Sequence, residues 1–552
     1  MYKYTVHRSH LLPKISVGML LNLTQSLLLA MLSGSILALG FLNHDFFYCA
    51  WFGLVPLLLA VENKSLVHSY FIGLVAGLTL FVTGAYWILD FIDISKDYGV
   101  QTGFSLAGIY WLYSAHSLAL AILIFKWLSQ HTKITSLILL PVVFVFISST
   151  FPMLFPMRLA DTQVNFNIAL QGIEFAGASG LDAIIILSNI IIYRMLGFVF
   201  SSYAKTQHTP MYHLLCAIII VVIWFYYGFI AQSYWQTAIK KWDTFKVGLI
   251  QMNETPKLGD RVQYPGYSMA YPPEMDMTER LNSAGAELII WPEAQSKGYL
   301  DDPSVQLAYQ QSLSRLNSHL LFQDMQHISD PITGDRLHQY NSAILINNEG
   351  QQVDRYEKMK RIPFGEYIPF LKSDSPVSLW VESLFGEFTS GLSQGQVHKT
   401  FNHPKVNLIP LICYETTFPE FVATAVNKTS AKRHINTGTM LIGLSNDGWF
   451  GSSHLPYQHI MPSVLRAIEN RLPLVHVANN GPSIVVTPDG NVIFTSDFQK
   501  AAGYVVDVPY SNTTQGSFYS QHPSLFTNTI IILFAFILML SFKSVYNIKR
   551  RE

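Results

Sequence analysis

Three short stretches in the second half of the chain carry the residue types for acyl chemistry: Trp291-Pro292-Glu293, Tyr356-Glu357-Lys358 and Ile412-Cys413-Tyr414-Glu415. A thiol is a weak nucleophile while protonated, and its free pKa lies near about 8.5. A carboxylate beside it can take the proton during attack. Attack on an acyl carbon creates an oxyanion, which a fixed ammonium stabilises. Cys413 is therefore the expected nucleophile, Glu293 the expected base, and Lys358 the expected oxyanion stabiliser, helped by a backbone N–H beside Cys413. A lysine shuttles protons poorly near neutrality, so the proton work falls to the carboxylate. Of the three cysteines, Cys49 and Cys216 lie in apolar segments, where a thiol behaves as a small hydrophobe. Cys413 alone falls in the polar part of the chain and has no disulfide partner there.

Strands must position these groups. Beta-rich runs occupy 245–251, 286–291, 342–346, 406–412 and 440–444, and a hairpin turns at Pro488-Asp489-Gly490. Helical patterns cover about 303–318 and 456–471. Nearly continuous apolar strands alternating with helices predict an α/β arrangement with sheets covered on their faces. In such layouts the residues just past strand ends line the crevice, and Glu293, Cys413 and Asn446 all sit there. One such residue is an ordinary strand end turning polar; three chemically matched ones read as a site.

The rest of the chain is of a different kind. Charged residues make up 13% and hydrophobic residues 50% of the 552, about half the charge of a soluble domain. The shortfall is concentrated before residue 240 and at the C-terminus. A bilayer crossing needs about 20 apolar residues, and runs near 19–42, 46–61, 67–92, 103–127, 135–157, 181–203, 213–234 and 524–542 predict about eight spans. The expected divisions are 1–240, transmembrane; 244–510, catalytic; and 520–552, a last span with a basic tail. Lys3, Arg8 and Lys14 before the first run resemble a signal peptide, but the spans that follow favour an uncleaved anchor. With Lys64, Lys126, Lys133, Lys205, Lys543, Lys549, Arg550 and Arg551 inside, the positive-charge bias places both termini in the cytoplasm and 236–523 outside it; Lys240 and Lys241 count against this. Net charge is zero, with no long basic run, which argues against nucleic acid as a partner.

The three motifs resemble the Glu–Lys–Cys triad of the nitrilase (carbon–nitrogen hydrolase) superfamily. Arg361-Ile362-Pro363-Phe364-Gly365-Glu366-Tyr367-Ile368-Pro369, Ser445-Asn446-Asp447-Gly448-Trp449-Phe450-Gly451, Pro456-Tyr457-Gln458-His459 and Arg466-Ala467-Ile468-Glu469 extend the likeness. With Gly84-Ala85-Tyr86-Trp87 and the spaced Gln171, Glu174 and Gly177 of the apolar part, the whole chain resembles the bacterial apolipoprotein N-acyltransferase family. The resemblance implies a nitrilase-like αββα sandwich inserted in a polytopic helical membrane domain, on the periplasmic side of the inner membrane. It implies transfer of a fatty acyl chain from a phospholipid, typically phosphatidylethanolamine, through a thioester on Cys413. The acceptor would be the N-terminal amine of a diacylated apolipoprotein. It also makes Glu366 the second carboxylate of the site, Tyr414 and Glu415 the flanks of the nucleophile, and Trp449 an aromatic of the mobile mouth.

The sequence departs from the family pattern at Ala294-Gln295-Ser296, at Met252, at Phe155-Pro156-Met157, at His476 and at Asn479-Asn480-Gly481-Pro482. These positions bear on substrate entry and fit and keep alternatives open: a membrane-anchored amidase, or a relative acylating another amine. Asp447, His454 and His459 offer metal-ligand types, but their spacing fits no standard zinc motif. No metal and no cofactor are expected. Trp224-Phe225-Tyr226-Tyr227 reads as part of an interfacial belt, and Tyr271-Pro272-Pro273 as a surface loop.

Overall fold

Lipid offers no partner to a backbone N–H or C=O, so an apolar run that enters it closes its hydrogen bonds as helix. In the computed structural model, seven helices among the described residues are long and apolar enough to cross a membrane: Leu23–Leu42, His44–Val61, Leu66–Gly84, Val100–His131, Ile173–Gly197, Met211–Ile239 and Leu525–Tyr546. The structure describes residues 21–549 apart from 97–98, 200–209, 257–263, 295, 335, 364, 368–375, 378–379, 381–390, 431–436 and 514–515. Lys3, Arg8, Lys14, Lys205, Arg550 and Arg551, used above for orientation, lie outside the described residues, as do Gln295, Phe364, Ile368 and Pro369 of the motifs.

Two of the expected spans differ in form. The short run at 46–61 is bent, a 3-10 segment His44–Trp51 followed by helix Val55–Val61. The run at 135–157 is helical only over Ser136–Thr150, which is 15 residues; Pro152 and Pro156 then prevent continuation. Small residues let the spans approach closely. A Cβ on Gly77 would lie 2.6 Å from the Ala115 carbonyl oxygen and 2.9 Å from Ala115 Cα, across the contact between Leu66–Gly84 and Val100–His131.

The polar part folds as strands β1 (Asp243–Gln251), β2 (Leu288–Ile290), β3 (His319–Ser329), β4 (Arg336–Ile346), β5 (Gln352–Glu357), β6 (Phe401–Asn402), β7 (Val406–Ile412), β8 (Gly438–Ser445), β9 (Leu474–Ala478), β10 (Ile484–Val486), β11 (Val492–Thr495) and β12 (Ala502–Tyr510). They form two six-stranded sheets, ordered β12-β1-β2-β3-β4-β5 and β11-β10-β9-β8-β7-β6. The pairs β1–β2, β2–β3, β7–β8 and β8–β9 are parallel.

Strand alternation explains the layers. Leu288 and Ile290 join Val406, Leu408 and Ile412 in the core between the sheets. Ile289 points the other way, into a core with Met275, Leu281, Tyr309 and Leu313 of helices Pro273–Ser283 and Pro303–Leu313. Ile409 and Leu411 point toward helices Pro419–Thr429 and Leu455–Asn470, and that cluster is continuous with the apolar spans. The result is an αββα sandwich whose second helical layer packs directly on the membrane helices.

One buried carboxylate ties the two sheets together at their functional end. Glu415 is 0% exposed. Its Oε1 accepts the Tyr356 hydroxyl at 2.7 Å and the N–H groups of Met359 at 2.7 Å and Lys360 at 3.0 Å, while Oε2 accepts the Ile412 N–H at 2.8 Å. Lys358, just past β5 in one sheet, is thereby fixed against Cys413, just past β7 in the other. Glu415→Ala leaves four donors unpaired, each worth about 1–3 kcal/mol when buried. We expect it to lower the thermal unfolding midpoint of the detergent-purified full chain far more than Tyr356→Phe, which removes one hydroxyl at a cost of about 1 kcal/mol. Equal midpoints for the two variants would refute the clamp.

Candidate active site

The sheets bring Glu293, Lys358, Glu366 and Cys413 into one buried group. Glu293 follows β2, and its Oε1 accepts from Asn341 Nδ2 at 2.7 Å and lies 3.6 Å from Lys358 Nζ. Lys358, 2% exposed, donates to Glu366 Oε1 at 2.7 Å, and Glu366 Oε2 accepts the Ile362 N–H at 2.8 Å. Burial opposes the Lys358 charge, but Glu366, Glu293 and Cys413 outweigh it and hold the ammonium above its ordinary range. Burial, reinforced by Glu293, Asp447 and Glu366 and opposed by Lys358, pushes the Cys413 thiol well up. That direction favours the protonated thiol at rest.

Cys413 sits at φ +50° at the head of a 3-10 turn, Cys413–Thr417. That is the left-handed region, costly for a residue with a Cβ, and it turns the side chain away from the β7 pleat. The Thr416 hydroxyl donates to the Cys413 carbonyl at 3.1 Å. Tyr414 donates from its hydroxyl to the Leu154 carbonyl, in the segment after Ser136–Thr150.

The cavity at Cys413 is walled on one side by Phe41, Trp87 and Phe155 of the apolar part and on the other by Phe450 and His459. Trp87 meets Phe155 and Phe450 edge-on, with ring centroids 5.1 and 5.5 Å away. Gln458 fixes this junction: Trp87 Nε1 donates to its Oε1 at 3.0 Å, and its Nε2 donates to the carbonyls of Phe41 and Gly84 at 3.0 and 2.9 Å. A second seam lies nearby. Arg471 donates to Glu174 at 2.8 and 2.9 Å and to Gln171 at 2.8 Å, and Glu469 accepts the Ala178 N–H at 2.7 Å. The softer sequence matches in the apolar part are thus interface residues. Gly177, at φ +64°, is needed there, since a Cβ would meet the Tyr519 ring at 2.5 Å.

Asn446 is a cap rather than a lining residue: its Oδ1 accepts from Gly448 N and Asn479 Nδ2, both at 3.2 Å. Trp449 is half-buried and packs against the core cluster, while its neighbour Phe450 reaches the cavity. Ser296, in the divergent segment after Glu293, donates to Asp324 Oδ1 at 2.9 Å, and Asp324 Oδ2 accepts the Leu300 N–H at 2.9 Å. Asn341 went unread because one asparagine within a strand has no signature; its carbonyl also accepts the Lys358 N–H at 2.8 Å. His454 stacks on Tyr457, whereas Asp447, His459 and His476 bring ligand atoms within 4.8 Å of one another. That donor set differs from the one weighed in the sequence.

The carbon–nitrogen hydrolase family model matches residues 247–515, and the apolipoprotein N-acyltransferase N-terminal domain model matches residues 33–191. The apolipoprotein N-acyltransferase of Geobacter metallireducens is 27% identical over 535 residues, covering 94% of this chain and 95% of that protein. Its counterpart in Rickettsia prowazekii is 28% identical over 526 residues, covering 94% and 98%. A crystal structure of an amidase from Nesterenkonia sp. aligns at 17% identity and a TM-score of 0.34, over 49% of this chain and 92% of that one. Matched in chain order by those two models, this chain carries an apolipoprotein N-acyltransferase N-terminal domain followed by a carbon–nitrogen hydrolase domain, and it aligns along nearly its full length with proteins named apolipoprotein N-acyltransferase.

Proposed function

We propose that the chain moves a fatty acyl group from a phospholipid, through a thioester on Cys413, to the N-terminal amine of an S-diacylglyceryl-cysteine apolipoprotein. The observation that carries this reading is the position of Cys413. It interacts electrostatically with the Glu293 carboxylate and the Lys358 ammonium and lines a cavity whose far wall comes from the apolar part, Phe41, Trp87 and Phe155.

In the first half-reaction Cys413 sulfur attacks the ester carbonyl as Glu293 takes the thiol proton. Lys358 offsets the charge on the carbonyl oxygen. The C–O bond then breaks, the proton passes to the glycerol oxygen, and lysophospholipid leaves. In the second, the acceptor amine attacks the thioester carbon and Glu293 takes an amine proton. The C–S bond breaks, and the proton returns to sulfur. Glu366 holds the Lys358 ammonium, and Tyr414 and Glu415 hold the segment that presents the nucleophile. Asn446 shapes the turn behind it, and Trp449 braces that turn near the mouth.

We take phosphatidylethanolamine as the donor and the bacterial inner membrane as the location, with 1–240 and 520–552 in the bilayer and 244–510 on the periplasmic side. Six long apolar helices and Ser136–Thr150 precede β1, and one follows β12 among the described residues. If Ser136–Thr150 crosses as well, the count before the sheets is odd and one crossing follows them, which supports the reading that the two ends lie on one side and the sheets on the other.

Intact-mass measurement of full-length protein incubated with phosphatidylethanolamine is expected to show one hydroxylamine-labile acyl adduct, absent from Cys413→Ala. An adduct that survives in Cys413→Ala rejects the nucleophile. Glu293→Gln should slow adduct formation by about 10²–10⁴-fold, the usual contribution of a positioned base. Lys358→Ala should slow it about 10²–10³-fold, as loss of an oxyanion donor does. Rates within threefold of wild type for either variant would remove it from the chemistry. Failure of well-expressed protein to restore N-acylated lipoproteins in a strain lacking that step, with adduct formation intact, would point to a different amine.

A further inference from the structure

The transfer steps above leave unused a buried group of polar side chains behind the nucleophile. His459, on helix Leu455–Asn470, places Nδ1 2.7 Å from Asp447 Oδ1 and 3.3 Å from Ser445 Oγ. Ser445 Oγ in turn donates to Asp447 Oδ1 at 2.9 Å. The His459 ring lines the same cavity as Cys413, and the Cys413 backbone favours its charged form. The imidazole therefore contacts a fully buried carboxylate and shares a cavity with a residue held at φ +50°.

Electrostatics suit a cation there. Glu293, Asp447 and Glu366 all disfavour negative charge on Cys413, and Lys358 opposes them. A second positive charge offsets the third carboxylate. Burial works against it, but Asp447, the Cys413 backbone and Glu293 together raise the His459 pKa above the ordinary value. His476 faces it from β9, with ring centroids 5.4 Å apart. Burial and then the His459 charge push His476 down to about 3, against the pull of Asp447. It is thus neutral near pH 7 and sets no like charge against His459.

We propose that Asp447 and His459 are positioning residues, the carboxylate holding an imidazolium on the Cys413 peptide so that the strained nucleophile keeps its aim and a second cation lies close to it. The inference rests on the reading of Cys413 as the acyl carrier. His459 acts through the Cys413 backbone, and its contribution is present while it is protonated. The contribution fades as pH rises through the raised pKa. In Asp447→Asn burial loses its main opponent, so the fade must begin at lower pH.

The test is the steady-state rate of lysophospholipid release from phosphatidylethanolamine by the detergent-purified full chain with a saturating S-diacylglyceryl-cysteine peptide as acceptor, followed from pH 6 to 9.5, with the Cys413 adduct confirmed by mass in the absence of that peptide. Wild type is expected to show an alkaline fall. Asp447→Asn should move that fall down by a pH unit or more, and His459→Gln should lower kcat at least tenfold with KM for the phospholipid within threefold. A wild-type rate that does not fall, an Asp447→Asn profile that falls at the wild-type pH, or His459→Gln within twofold of wild type overturns the role. If His459→Gln is not recovered folded, the wild-type and Asp447→Asn profiles decide. No adduct on wild-type Cys413 would sink the underlying reading; an adduct with an unshifted Asp447→Asn profile sinks this inference alone.

Discussion

The structure depends on one carboxylate that never meets solvent. Burial raises the Glu415 pKa, against donors from Ile412, Lys360, Tyr356 and Met359. Those donors come from both sheets, so a shift of one sheet along the other would leave a buried group unpaired, at a cost of about 1–3 kcal/mol for each donor lost. This is how residues distant in sequence keep their register: Lys358 leaves β5, Cys413 leaves β7, and the same oxygens hold the backbone beside both. Hydrophobic packing between the sheets is non-directional and could not set that register alone.

A second constraint acts at the boundary between the two parts of the chain. Helix Leu455–Asn470 covers the outer face of one sheet, yet its Gln458 side chain bonds to Trp87, Phe41 and Gly84 of the apolar helices. Just past its end, Arg471 pairs with Glu174 and Gln171. Buried polar contacts of this kind are direction-specific and costly to leave half made. They orient the cavity at Cys413 toward the helices that would lie in lipid. For a reaction whose substrates are both lipid-anchored, that orientation raises the effective concentration of each.

Much of this was readable from the chain. Strands β7 and β8 are buried on both faces and so appear as unbroken apolar runs, and their ends located Cys413 and Asn446. Other elements were hidden for physical reasons. β12 is an edge strand that alternates between half-buried and exposed residues and contains Gly503 and Pro509, which blur its pattern. β9 is five residues long and carries His476 within it. The partners of the site were harder still. Asn341 lies in the middle of β4, and Asp447 and His459 become neighbours only because a tight turn after β8 faces the first turns of the next helix. The family resemblance pointed to Trp449 as the aromatic of the mouth, but the turn aims Phe450 at Trp87 and Phe91. Which of two adjacent residues points inward depends on turn geometry, and composition does not encode that.

The protonated resting state of Cys413 fits the same design. An exposed thiolate is prone to oxidation, whereas a buried thiol among carboxylates is held protonated, and in the proposed reaction it gives up its proton only to a base beside a bound substrate. Once a thioester forms, the surroundings decide its fate. Trp87, Phe155 and Phe450 close around the cavity with their ring faces and edges in contact, leaving apolar walls where water would otherwise solvate the acyl carbon. A hydrolase needs water at that carbon; an acyltransferase needs it kept away until an amine arrives. An aromatic wall built by Trp87 and Phe155 of the apolar part and Phe450 of the polar part would favour the proposed transfer over hydrolysis, and Trp87→Ala should shift product from amide to free fatty acid, read by lipid mass spectrometry, while leaving the triad intact.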